Sequence, residues 1–125
     1  GELEGAAVLA DRAMRNTRVL VRRARAVVDQ AEAEQPVGAL ASMAALVHEL
    51  RLGVDELGAV LASGGDPAAV RERLARAASS ADPYVVAPED WHVQSLVMLV
   101  RSLVVDLEEA AGVGPEEARG WLPEL

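Results

Sequence analysis

Between Gln35-Pro36 and Gly64-Gly65, apolar residues return at Leu40, Met43, Val47, Leu50, Val54, Leu57 and Leu61, alternating steps of three and four. That spacing paints one stripe along an α-helix, whereas a half-buried strand would need a period of two. Pro36 disfavours helix at Gln35 and fits a first helical turn, and a glycine pair is suited to ending one. The same alternation runs earlier through Leu3, Ala6, Ala10, Ala13, Thr17, Leu20, Ala24, Val27 and Ala31. Ala7, Met14, Val21 and Val28 widen that stripe at intervals of seven. It predicts a helix from Leu3 to Glu34, about 48 Å long at 1.5 Å per residue. The short break between the two predicts an antiparallel hairpin. The first helix is longer than so small a domain needs, so one end is expected to overhang or reach a neighbour.

Asp66-Pro67 is a start signal, an acid at the N-cap followed by proline at the first helical position. A short third helix is expected from Pro67 to about Ser79, with Val70, Leu74 and Ala77 or Ala78 inward. Ser80 to Pro88, with its two prolines, reads as the longest irregular connection. Pro88-Glu89-Asp90 then opens a fourth helix that runs to Ala111 and stops at Gly112. Its expected inward column is Val93, Leu96, Val100, Leu103, Leu107 and Ala110, flanked by Val97 and Val104. Pro115-Glu116-Glu117 begins a short terminal helix carrying Trp121. The fold expected is all-α: a single domain over 1–125, an antiparallel bundle of about four helices, two long, one short and one central, plus a short C-terminal helix.

Composition agrees with that class. Phe and Ile are missing, and Tyr84, Trp91 and Trp121 are the whole aromatic set. A core of Ala, Val, Leu and Met suits close helix packing better than it suits a sheet. With 125 residues the chain can bury about two-thirds of its unfolded surface. No run would span a bilayer, since Val93 to Leu107 is too short and contains Gln94, Arg101 and two serines. The chain opens on Gly1-Glu2 instead of Met, which suggests a piece of a longer protein.

The residues that could carry chemistry are few. With no Cys there are no disulfides, thiol nucleophiles or thiolate metal sites. Glu89 and His92 have the i, i+3 spacing of a di-metal carboxylate bundle, but His48 lacks an acid three residues before it, so half of that motif is missing. Glu89 and Asp90 would also sit well in a helix's first turn. The serines stand outside any nucleophile-elbow context. The sequence therefore predicts no catalytic, cofactor-binding or metal-binding residue. A net charge of −8 argues against nucleic acid as a partner.

The most physically informative feature is basic. Arg12, Arg15, Arg18, Arg22, Arg23 and Arg25 lie in a stretch without acids, and Arg15, Arg18, Arg22 and Arg25 share one helical face. This stripe either pairs internally, with Asp106, Glu108 or Glu109, or faces an anionic lipid surface or an acidic partner. On the fourth helix Met98, Leu99 and Val105 lie off the inward column. They mark either a side covered by the first helix or a second interface, such as a homo-oligomer contact.

Two segments, taken together, resemble a known family. Asn16 to Ala24 comes early; Gln94-Ser95-Leu96, Val100 to Leu107 and Ala110 to Val113 come late. Their order and spacing resemble the C-terminal soluble helical region of fusaric-acid-resistance-type (FUSC) inner-membrane proteins, which look like aromatic-acid exporters. The resemblance covers about half of the chain. It implies a non-catalytic domain on the cytoplasmic side of a bacterial inner membrane, partnered by the membrane-embedded part of the same polypeptide and serving assembly or regulation. Arginines close to a last membrane span fit the positive-inside tendency. No substrate-binding residue of the family falls on this chain. The competing expectation is a free-standing helical interaction module or homodimer.

Overall fold

A computed structural model describes residue 8, residues 11–23, 25 and 26, and residues 38–125. All regular structure among them is helical. We label the helices α1 (11–23 with 25 and 26), α2 (Gly38–Ser63), α3 (Ala68–Ser79), α4 (Pro83–Val86), α5 (Trp91–Ala110) and α6 (Pro115–Gly120). The remainder of the long first helix expected from sequence, including Val27, Val28 and Ala31, lies outside the described residues.

The stripe on α2 becomes the centre of the core. Met43, Leu46, Val47, Leu50, Val54 and Leu57 are buried, while Leu61, past the end of the packed face, is 46% exposed. Each fully buried Leu or Val stabilises the fold by about 1.5–3 kcal/mol relative to leaving it in water. α3 lies across α2 at Gly53, where a Cβ would come 2.8 Å from the Leu74 side chain. Val70, Leu74, Ala77 and Ala78 all face inward, as the sequence spacing predicts. α1 runs antiparallel to α2: Met14 packs beside Gly58, while Val21 and Arg25 line a groove with Arg51 and Val54.

α5 packs against α2, α3, α4 and α6, so it is the central helix. Its buried column is Val93, Val97, Val100, Val104 and Leu107, continued by Ala111. Leu96, Leu103 and Ala110, expected on that column, are only partly buried at its edge. The column is rotated towards Val97 and Val104, the residues expected to flank it.

The helix ends are set by local hydrogen bonds. Asp66 Oδ1 accepts from the Ala68 N–H at 3.0 Å, and Pro67 fills the turn before α3. Gly64 and Gly112 adopt φ of +68° and +91°. Beyond them, the Gly65 N–H donates to Val60 O and the Val113 N–H to Glu108 O. These are the 6→1 bonds of a Schellman ending, which needs a residue without Cβ strain at the left-handed position.

The Ser80–Pro88 segment is a correction. It contains α4, capped by Asp82, whose carboxylate accepts from the Tyr84 and Val85 N–H groups at 2.9 and 3.3 Å. Asp82-Pro83 is the same start signal as Asp66-Pro67; the second proline ends the helix after a single turn.

Candidate functional site

α1 presents its arginines outward. Ala13, Thr17 and Leu20 are buried and hold the helix to the bundle, with Met14 and Val21 half-covered. The Thr17 hydroxyl donates to Ala13 O at 2.7 Å, which lets a polar side chain sit in that seam. Arg12, Arg15, Arg18, Arg22, Arg23 and Arg25 are all exposed. Arg15 makes a 3.1 Å pair with Asp11 one turn earlier, with both side chains about 70% in water. Such a pair contributes at most a few tenths of a kcal/mol.

Of the internal partners expected for the stripe, Asp106, Glu108 and Glu109, none forms an ion pair with it among the described residues. Arg18, Arg22 and Arg25 instead line a groove of about 380 Å³ between α1 and α2, with Arg51, Asp55 and Val54 on the opposite wall. Among the described residues four guanidinium groups share that groove with a single carboxylate, a balance that favours an anion.

Arginines elsewhere act differently. Arg73 bridges α3 to α2 through Glu56 at 2.7 Å and Glu49 at 2.8 Å. Arg71 donates to Ala111 O at 2.7 Å, and its guanidinium passes where a Cβ on residue 112 would stand. Arg101 donates to Ala81 O and to Pro123 O, both at 2.8 Å, tying the chain before α4 and the C-terminal tail to α5.

The second-interface residues separate. Met98 and Leu99 are 44% and 53% exposed. Val105 is buried against Val113 and Ala118, with Trp121 and Leu122 packed around them. The C-terminal segment, not α1, covers that side of α5, so Val105 is removed from the exposed set. Trp121 itself follows α6 as its C-cap residue.

Glu89 and His92 do not share a helix, because Asp90 is the N-cap of α5 and Glu89 precedes it. This corrects the expectation that Glu89 and Asp90 lie in the first turn. The Asp90 carboxylate accepts from the His92 and Val93 N–H groups, and the His92 ring stacks on Trp91 at 3.7 Å. No group of three or more His, Asp or Glu side chains is placed to hold a metal among the described residues. Ser63, Ser79 and Ser95 each donate to a backbone carbonyl of their own helix, and Ser80, the C-cap of α3, donates to Arg76 O.

Glu108 is a site that sequence reasoning missed. Expected as a surface acid for the arginine stripe, it is fully buried, and neither carboxylate oxygen has a hydrogen-bond partner. Burial pushes its carboxyl up to about 7, opposed by Arg71 and reinforced by Glu117. Helical phase, in which Glu108 follows Val97 and Val104, carried only part of the signal; the cover over the last turns of α5 comes from the segment after Gly112.

No described helix is long and apolar enough to cross a membrane. No protein-family model, curated protein or solved structure matches the chain.

Proposed function

We propose that this chain is a non-catalytic helical domain of a FUSC-like membrane transport protein, resting its α1 face against the anionic cytoplasmic surface of the membrane that holds the rest of the polypeptide. The observation that supports this reading is the exposure of all six arginines of α1 beside a groove that adds Arg51. Near an anionic leaflet each such residue is worth about 1 kcal/mol, so a handful suffices for reversible attachment. The overall charge of −8 does not prevent it, because screening over about 8–10 Å lets the membrane sense the near face alone. In this reading the domain's task is assembly or regulation, and the membrane-embedded part carries the transported compound.

Vesicle co-sedimentation tests the reading. The chain is expected to bind phosphatidylglycerol vesicles at low salt and to ignore phosphatidylcholine vesicles. Changing Arg15, Arg18, Arg22 and Arg25 to Gln should abolish binding while helicity stays unchanged. Absence of binding by the parent chain, or equal binding by the Gln variant, would overturn it.

A further inference from the structure

The last turns of α5 meet two separate clusters of apolar side chains. Val104, Leu107 and Ala111 belong to the main core, whereas Val105 packs with Val113 and Ala118 of the C-terminal segment. Glu108 stands between the two, one turn beyond Val104 and Val105, fully buried and with both carboxylate oxygens unpartnered. Among the described residues the charged groups that act on it are Arg71 from α3 and Glu117 from α6; none from α2 or α4 does. On α5 itself Asp106 and Glu109 are exposed, and Arg101 is engaged by Ala81 O and Pro123 O. A carboxylate with no donor is costly to ionise in such a place, so the closed arrangement holds the neutral acid.

The cover over Glu108 hangs from a hinge. Gly112, at φ +91°, turns the chain away from α5, and Gly114 follows with open space where a Cβ would stand. Arg71 clamps this hinge: its Nε donates to Ala111 O at 2.7 Å, and its Nη2 lies 2.6 Å from where a Cβ on residue 112 would stand. Beyond the hinge Val113 and Ala118 are buried, with Trp121 and Leu122 half-covered. The six residues of α6 are too few to hold a helix by themselves, so the segment keeps its structure only while docked.

We propose that Glu108 is a proton-operated latch on residues 113–125: the protonated acid lets the segment close over α5, and ionisation releases it about Gly112 while the rest of the bundle stays folded. Release has three contributions. Opening admits water to the carboxylate. Glu117, which repels that charge, leaves with the segment. Arg71 exchanges Ala111 O for the carboxylate, which unclamps the hinge. Burial pushes the closed-state carboxyl up to about 7, so the advantage of the closed form is complete below about pH 4.5 and is lost as pH rises through 7. The latch does not involve α1, so it is independent of any attachment through the arginine face.

Native-state hydrogen exchange on the 125-residue chain, read amide by amide at about pH 5 and pH 7.5 and corrected for intrinsic rates, is the test. The Ala118, Trp121 and Leu122 N–H groups, whose acceptors Gly114 O, Ala118 O and Arg119 O lie within the segment, report the latch. They are expected to exchange well before Leu50 and Val54 of α2, with little dependence on urea, and to lose about tenfold in protection between the two pH values. Glu108→Gln, which keeps the shape of the neutral acid, should abolish that loss. Exchange of the segment in step with Leu50 and Val54 would overturn the proposal, because the segment would then leave only with the whole bundle. A loss of protection that persists in Glu108→Gln would overturn it too. So would no loss in the parent, which would mean that ionised Glu108 takes Arg71 with the segment still closed. Where Glu108→Gln fails to fold, Arg71→Gln is the second variant. It removes the clamp and the opposing cation, and segment protection at pH 7.5 should drop about fivefold further; unchanged protection would overturn the latch.

Discussion

Arg71, Arg73 and Arg101 each reach a carbonyl or carboxylate on another segment, within 2.7–2.8 Å, and are partly covered. Arg12, Arg18 and Arg22 on α1 project from a helix seated on Ala13, Thr17 and Leu20 and are exposed. The same side chain thus fastens one region and decorates the other. The difference follows from what lies beneath each helix. α2, α3 and α5 meet through large residues such as Met43, Leu50, Leu74 and Leu107, all with no exposed surface. Once helices are fixed that closely, an arginine at the seam has a defined acceptor within reach and loses little further freedom in taking it. α1 has a narrower seat and leaves its basic face to whatever approaches from outside.

The largest expected effect tests whether the seats differ. Leu50→Ala should cost about 3–5 kcal/mol in urea unfolding, because the site is enclosed on all sides and can collapse little. Leu20→Ala, on α1, should fall at or below about 2 kcal/mol, since the hole it leaves opens towards solvent. Equal losses would mean that α1 is as deeply integrated as α2, and the contrast drawn above would fail.

Next comes Glu108, where the tightly packed region carries a cost. Its folded carboxyl titrates at about 7 against an ordinary 4.5. A raised carboxyl binds its proton more tightly in the folded state. Its contribution is therefore fully favourable below about pH 4.5 and is lost as pH rises through 7. The difference corresponds to about 3 kcal/mol between pH 4.5 and pH 8. Glu108→Gln should remove that fall, leaving the variant more stable than the parent at pH 8 by about 1–3 kcal/mol and little changed at pH 5. Stability curves of the two proteins that run parallel over this range would show that the carboxylate finds a partner when ionised.

A smaller effect is expected at Arg71. Arg71→Gln removes the bond to Ala111 O and the cation that opposes the upward push on Glu108. A loss of about 1–2 kcal/mol at pH 8 is expected from chemical denaturation, with the fall in stability displaced to higher pH. An unshifted profile would mean that Arg71 acts on α5 through its backbone bond alone.

These sites differ in how visible they are in the sequence. The α2 stripe, the inward residues of α3 and the glycine stops are local patterns, and the structure follows them. α4 was legible too, for Asp82-Pro83 repeats Asp66-Pro67, but two prolines close together read as an interruption when one of them starts a helix. Glu108 and Val105 are different. Nothing within α5 says that its C-terminal turns will be covered; that depends on Val113, Ala118 and Trp121 folding back across them after Gly112. The charge of Glu108 argued for solvent, and tertiary packing overrode it. The outward placement of the arginines follows directly from their spacing beside the apolar stripe, whereas the groove they share with Arg51 and Asp55 requires α2 to be in place.

The smallest effect on stability is expected from the arginine face itself. Arg18→Gln and Arg22→Gln, singly or together, should change unfolding free energy by less than about 0.5 kcal/mol, as is usual for exposed helix positions. Gln propagates a helix nearly as well as Arg, and the substitutions relieve repulsion among neighbouring cations, so even the sign can favour the variant. Arg73→Gln is the matched control. It breaks two carboxylate contacts that join α3 to α2, so it should cost more than either α1 substitution. If Arg18 and Arg22 prove as costly as Arg73, the α1 arginines are structural and their exposure is no guide to a partner. If they prove silent in stability while salt sets the affinity for anionic vesicles, then α1 is retained for what it meets outside the bundle. Its narrow seat is then the compromise that leaves so much charge available.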